Sequence, residues 1–221
     1  MPSRTIAIGD IHGCASALSA LLKAVSPQGE DTLVFLGDYV DRGPDSADVI
    51  EQVVSLVGHC HVVPLIGNHE LMMLNAVNDS RQMQFWTQHG GAETLASYGG
   101  SLAHVPPHHR AFFQNCVRYH ETENHMFVHA NYDPGLDLDE QSDDLLFWQH
   151  MTSRFPEPHI SGKTVVVGHT PQLDGLPVDH GHIKLLDTFC YGGQWLTAYD
   201  VDSQRLWQAN NHAETREAIL E

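Results

Sequence analysis

Basic charge is scarce in this chain. Eleven Lys and Arg stand against 28 Asp and Glu, for a formal net charge of −17. Binding along a phosphate backbone is built on clustered basic residues, so nucleic acid is excluded as a general partner. Long apolar runs are also lacking: no stretch approaches the ~20 residues of a membrane-spanning helix. Met1-Pro2-Ser3-Arg4 runs directly into a short apolar strand, without the basic start and apolar core of a signal peptide. No membrane attachment and a cytoplasmic location are therefore expected. The four cysteines, Cys14, Cys60, Cys116 and Cys190, are widely spaced, which argues against both a zinc knuckle and a disulfide framework. No internal repeat or low-complexity linker divides the chain.

What is present suffices for one core. In 221 residues, 42% are hydrophobic and the mean hydropathy is −0.26, and two domains would each be small. The expectation is one domain over residues 1–208 and a polar tail over 209–221, helical and frayed from Asn210. The acidity suits a protein that holds divalent cations, although a solubilising surface gives the same sign.

Three apolar runs, Thr5-Ile6-Ala7-Ile8, Thr32-Leu33-Val34-Phe35-Leu36 and Val62-Val63-Pro64-Leu65-Ile66, read as buried strands. Between them lie helical faces, Leu18, Leu21, Leu22, Val25 and then Ile50, Val53, Val54, Val57, the second capped by Asp45 or Ser46. This alternation predicts parallel strands with right-handed crossovers, so that the three following loops emerge at one sheet edge. Leu71 to about Gly100 reads as helical with a break at Gly90-Gly91, and Phe85 and Trp86 within it read as core or lid packing. Later strand-like runs are Met126–Val128, Thr164–Val167, Ile183–Leu186 and Trp195–Tyr199, and Asp133–Asp144 reads as an exposed acidic loop.

Asp10, His12, Asp38, Asn68, His129 and His169 each come just after such a run, where an α/β sheet presents its site. Carboxylate, imidazole and amide oxygen together suit two divalent cations such as manganese, iron, zinc or magnesium, and manganese is the one expected. One ion takes Asp10, His12 and Asp38, and the other takes Asp38, Asn68, His129 and His169. Two close metals polarise a phosphoryl group and acidify water, which implies phosphoester hydrolysis. His69 is placed to protonate the departing oxygen, Asp41 to orient and support that imidazole, and Arg42 to grip phosphate oxygens beside Asn68. Glu70 can accept hydrogen bonds from neighbouring loops.

Gly9-Asp10-Ile11-His12-Gly13, Gly37-Asp38-Tyr39-Val40-Asp41-Arg42-Gly43 and Gly67-Asn68-His69-Glu70, followed by His129 and Gly168-His169, resemble the signature blocks of the phosphoprotein phosphatase superfamily. Order and spacing agree over residues 5–200, and the length is nearer to the compact bacterial and phage Ser/Thr phosphatases than to eukaryotic catalytic subunits. The resemblance implies an α/β metallophosphoesterase fold, a β-sandwich of two mixed sheets flanked by helices in four αββα layers, with the dimetal site at one end. It implies a Ser/Thr or dual-specificity phosphatase acting on phosphoproteins or small phosphoesters. It sets no oligomeric state, and a monomer is compatible with it.

Two departures stand out. His129-Ala130-Asn131 replaces the usual His-Ala-Gly of bacterial relatives. The second phosphate-binding arginine expected between His129 and His169 has only Arg154 as a candidate, and His150 occupies the position behind Phe147-Trp148. Two other functions compete. A symmetrical diadenosine tetraphosphatase shares the first block and the size, but that branch typically lacks an equivalent of Asp41 and has Asp in place of Glu70. A non-catalytic metal-stabilised module needs no combination of His69, Asp41 and Arg42.

Overall fold

Successive residues of a strand face opposite sides of their sheet, and in the central strands here both sides are covered. The computed structural model describes residues 3–151 and 154–220; Met1 and Pro2 of the N-terminal stretch and Glu221 of the tail lie outside them. The chain begins with β1 (Thr5–Ile8), α1 (Ala15–Val25), β2 (Thr32–Phe35), α2 (Ser46–Ser55) and β3 (His61–Pro64), whose strands pair in parallel as the alternation predicts. Next come α3 (Asn68–Ala76), α4 (Ser80–Trp86), α5 (Ala92–Ser97) and α6 (Pro107–Asn115), with Pro107 at the first helical position. The second half contributes β4 (Tyr119–Glu121), β5 (His125–Val128), α7 (Asp143–Trp148), β6 (Thr164–Val167), β7 (Val178–Asp179) and β8 (Ile183–Leu185). It closes with β9 (Leu196–Asp200), β10 (Arg205–Ala209) and β11 (Thr215–Ile219).

One sheet runs β11-β10-β9-β1-β2-β3 and the other β4-β5-β6-β8-β7, and each mixes parallel and antiparallel pairs. Ala7, Val34 and Leu36 meet Phe127, Val166 and Leu186 between the sheets. Their strand neighbours Ile6, Ile8, Leu33 and Phe35 pack outward against α1 and α2, while Met126, Val128, Val165 and Val167 pack outward against Leu146 and Phe147 of α7. The result is the four-layer αββα sandwich. Burial on both faces explains why these strands read as unbroken apolar runs, each such side chain contributing roughly 1.5–3 kcal/mol. No helix among the described residues is long and apolar enough to cross a membrane.

Several expectations are corrected. The helix read from Leu71 starts at Asn68, so Asn68, His69 and Glu70 form its first turn, and it breaks once more before Ser80. In α2 the inward face is Val49, Ile50 and Val53, whereas Val57 lies past the helix end and is exposed. The loop 133–144 is tied inward by Leu138 and by Gln141, whose amide donates to the Asp133 and Leu136 carbonyls. The tail is a strand rather than a frayed helix: β11 pairs antiparallel with β10 from Arg205↔Ile219 to Ala209↔Thr215, and Leu220 is buried with the inter-sheet core. Its charged side chains suit a sheet edge, where they discourage pairing with another chain.

Candidate active site

The six residues that follow strand ends converge. Asp10 and His12 follow β1, Asp38 follows β2, Asn68 opens α3 after β3, and His129 and His169 follow β5 and β6; all are at most 7% exposed. Burial of so many polar groups needs compensation, and the backbone supplies part of it. Ile11 and His12 N–H both donate to the Asp38 carbonyl, at 3.0 and 2.9 Å, which joins the first loop to the second. Glu70 joins the second to the third: its carboxylate accepts from Asp38, Tyr39 and Val40 N–H at 2.9, 2.9 and 3.2 Å, and from Gly67 N–H at 2.9 Å. A β-carbon on Gly67 would lie 2.2 Å from Asp38 Oδ1, and one on Gly168 would lie 2.0 Å from Asp10 Oδ1. Only glycine lets the carboxylates cross there. Among the described residues, five of the nine non-glycine positions with positive φ are His12, Asp38, Asp41, Arg42 and His169. Such strain, about 1–3 kcal/mol per residue, collects where side chains must be aimed.

The chemistry of the donors fits a cation. His12 Nδ1, His129 Nδ1 and His169 Nε2 lie 2.9, 2.7 and 3.1 Å from the carbonyls of Val40, Leu36 and Trp148. Each ring thus donates one N–H to the backbone, and the other nitrogen is left with a lone pair. Burial lowers the pKa of all three, that of His169 to about 3, so the rings are neutral. Asn68 Oδ1 then lies 3.0 Å from His129 Nε2 and 3.1 Å from His169 Nδ1, and Asp38 Oδ1 lies 3.5 Å from His129 Nε2. Acceptors facing acceptors without a proton between them call for a cation. Burial, followed by the charges of Asp187 and Asp38, also raises the Asp10 pKa well above the carboxylate range, which a cation would reverse.

The first half of the constellation is arranged differently. His12 Nε2 is 3.4 Å from Asp38 Oδ2, yet it accepts a hydrogen bond from Arg42 Nη1 at 2.8 Å. Asp10 receives the His169 N–H on both oxygens, at 3.1 and 3.0 Å. The tight cluster on this side is His12, Asp38 and His69, without Asp10. For a cation to use His12, the Arg42 guanidinium has to turn outward.

His69 is held at two points. Its N–H donates to Asp38 Oδ1 at 3.1 Å, and its Nδ1 lies 2.7 Å from Asp41 Oδ2. Burial opposes its charge, but the Asp38 charge and the Asp41 hydrogen bond outweigh that and raise its pKa above the ordinary histidine value. Its Nε2 is buried and has no hydrogen-bond partner among the described residues, 4.0 Å from Asp38 Oδ2. Asp41 is itself fixed by the Trp86 indole N–H, at 3.0 and 2.8 Å to its two oxygens, and by the Thr94 hydroxyl at 2.7 Å.

Arg42 lies over the Tyr191 ring, 4.5 Å from its centroid. His150 stacks on His169 with centroids 4.2 Å apart and planes at 20°. Arg154 is exposed, and no hydrogen bond or ion pair among the described residues joins it to the constellation. Asn131 bonds Gln149 at 3.3 Å and so shapes the loop before His150, leaving the His129 ring untouched.

Sequence reasoning missed three residues. In sequence Trp86 reads as packing, and it is fully buried, but its N–H is spent on Asp41. Thr94 gave no signal. Asp187 ends the run Ile183–Leu186 as Asp10 ends the first strand, so the strand-end rule reaches it too; it is buried, burial pushes its pKa up to about 7, and its Oδ2 has no partner among the described residues.

Two mixed sheets with buried carboxylates and imidazoles gathered at their strand ends define a metallophosphoesterase. The profile of the calcineurin-like phosphoesterases matches residues 3–202, and the chain belongs to that family. It is 31% identical over 202 residues to serine/threonine-protein phosphatase 1 of Salmonella typhimurium, covering 85% of this chain and 87% of the relative. It is 28% identical over 221 residues to an asymmetrical bis(5'-nucleosyl)-tetraphosphatase of Oceanobacillus iheyensis, covering 87% and 86%. A shorter stretch of 71 residues is 49% identical to a symmetrical bis(5'-nucleosyl)-tetraphosphatase of Enterobacter sp., covering 32% of this chain but only 24% of that relative.

Proposed function

We propose that the chain is a metal-dependent phosphomonoester hydrolase acting on phosphorylated Ser and Thr of proteins, with tolerance for phosphotyrosine and small aryl phosphates. The observation that carries this reading is the His69–Asp41 pair at 2.7 Å, with His69 Nε2 buried and unpartnered beside Asp38. A seryl or threonyl oxygen leaves poorly and needs a proton in the transition state, and a carboxylate-supported imidazolium is built to give one. Asp10, His12 and Asp38 would hold one cation and Asp38, Asn68, His129 and His169 the other; this mixed donor set admits manganese, iron, zinc or magnesium, and manganese is the ion we propose. When bound, the pair polarises the phosphoryl group and lowers the pKa of water. Arg42 and Asn68 grip phosphate oxygens, and His150, stacked on His169, is better placed than Arg154 to assist them.

The second reading is a dinucleoside tetraphosphatase, favoured by the names of two of the relatives. Cleaving a phosphoanhydride expels a nucleotide phosphate, a good leaving group that makes little use of the His69–Asp41 pair. A cavity of about 820 Å³ lies behind α3, lined by Met73, Met83, Leu95, Leu102 and Phe113, and none of the constellation lines it. Phosphate release from a phosphoprotein, a phosphotyrosine peptide and diadenosine tetraphosphate, each with Mn²⁺, tests the proposal. Turnover of the phosphoprotein is expected; cleavage of the dinucleotide alone would overturn it.

A further inference from the structure

Away from the strand ends, a second group of potential ligands joins α2 to α6. Glu51 Oε2 is 2.9 Å from His108 Nε2 and 2.9 Å from His109 Nε2. One ligand atom from each of the three residues lies within 4.8 Å of the other two. Adjacent residues of a helix point about 100° apart, so both rings have to turn to reach one oxygen. They meet edge to face with centroids 4.4 Å apart. An ordinary ion pair needs only one of them.

His109 adds a second observation. It is 3% exposed, and its Nδ1 is 2.9 Å from the Tyr98 hydroxyl. With the Nδ1 proton donated to that oxygen, the Nε2 lone pair faces Glu51, the arrangement in which imidazoles bind metals. The Glu51 and His108 side chains are 62% and 51% exposed, so an aqueous ion reaches the group and water can complete its coordination.

We propose that Glu51, His108 and His109 bind a divalent transition-metal ion of the zinc class, at a site separate from the strand-end constellation. Two imidazoles, one carboxylate and a water make a tetrahedral zinc set. With bonds of about 2.1 Å, neighbouring ligand atoms of a tetrahedron sit about 3.4 Å apart, so each nitrogen withdraws from Glu51 by only about half an ångström. The ion clamps two helices that back the Asp38–Arg42 loop. On α6, Phe112 meets Tyr39 edge-on with centroids 5.1 Å apart, and at the start of α2 the Ser46 hydroxyl accepts the Asp41 N–H at 3.2 Å.

The test is equilibrium dialysis of the full chain against Zn²⁺, with metal counted per chain. The double variant Glu51→Gln/His108→Ala alters exposed side chains and is expected to bind one equivalent fewer than the wild type, with an unchanged circular dichroism spectrum. Asp38→Asn, which damages the strand-end constellation, should keep the Glu51 equivalent and lose it when combined with the double variant. His108→Cys loaded with Co²⁺ should show a thiolate-to-cobalt charge-transfer band that the wild type lacks. Equal zinc content in wild type and double variant, or no new band in His108→Cys, would overturn the proposal.

Discussion

On one side of Asp38 the acceptors already converge: Asn68 Oδ1 stands 3.0 and 3.1 Å from lone-pair nitrogens of His129 and His169, and both rings are anchored to backbone carbonyls. On the other side His12 spends its lone pair on Arg42, and Asp10 spends both oxygens on the His169 N–H. The Asn68–His129–His169 half is rigid because its rings are buried and tied to the ends of β2 and α7. The Asp10–His12 half is adjustable because the Arg42 guanidinium that stands in it belongs to an exposed residue and can turn outward. A constellation that looks uniform in sequence therefore splits into a preformed half and one that must exchange a partner.

The harshest way to break this comparison is to remove what both halves share. Asp38→Asn should lower turnover by on the order of 10³-fold or more, since it weakens electrostatic stabilisation on both sides. Chelation should have a similar effect, and full turnover by metal-stripped protein would refute a metal-dependent reaction. A sharper version titrates metal into His129→Ala and His12→Ala. The first should lose the tighter-binding ion and the second the weaker one; the reverse order would refute the assignment of the preformed half.

Next in size is His69→Asn, expected to keep both metals and to lower turnover of an alkyl phosphate ester by about 10²- to 10⁴-fold. A nitrophenolate leaves without help, so the loss on a nitrophenyl ester should be smaller. Equal losses on the two esters, or lost metal, would count against proton donation. This outcome also separates His69 from the cluster it forms with His12 and Asp38, in which geometry alone would allow it to be a ligand.

How much of this was legible follows from how local each signal is. Strand end and polar side chain lie within a few residues of one another for Asp10, Asp38, Asn68, His129 and His169, so apolar runs and their ends suffice to place these residues together at one end of the sheets. Trp86 and Thr94 are 45 and 53 residues from Asp41, and an indole that hydrogen-bonds a buried carboxylate looks in sequence like an indole that fills a core. Asp187 was within reach of the strand-end rule but had no histidine beside it to draw notice. The segment Thr215–Ile219 has no apolar face to announce a strand; its state comes from the ladder to β10, a tertiary cause that composition does not carry.

Trp86→Phe tests the distant support of the His69–Asp41 pair. The substitution nearly keeps the buried shape but removes an N–H from an ionisable acceptor, a loss of about 1.5–3 kcal/mol when it is felt in full. Lower thermal stability and about a tenfold lower rate on the alkyl ester are expected, with metal content unchanged. Rates lowered equally on alkyl and nitrophenyl esters would mean that Trp86 supports the fold and not the His69–Asp41 pair.

The smallest effect concerns the adjustable half. Tyr191 lies under Arg42 and edge-on to His12, with ring centroids 4.9 Å apart, so it limits where the guanidinium can go when it leaves His12. A cation–π contact of this kind is worth about 0.5–1 kcal/mol where water has access, which corresponds to a factor of roughly 2–5 in binding. Tyr191→Leu keeps apolar bulk and removes that guidance. If Arg42 swings outward to meet phosphate, the variant should raise KM about 2- to 5-fold and leave kcat and metal content unchanged, because the loss falls on positioning before any bond breaks. If instead Tyr191 mainly holds Arg42 on His12, its loss frees that lone pair and less metal is needed for half-maximal activity. KM measured at saturating Mn²⁺, and the Mn²⁺ dependence measured at saturating substrate, distinguish the two, and a lowered metal requirement with unchanged KM would show that the guanidinium blocks the adjustable half without serving it.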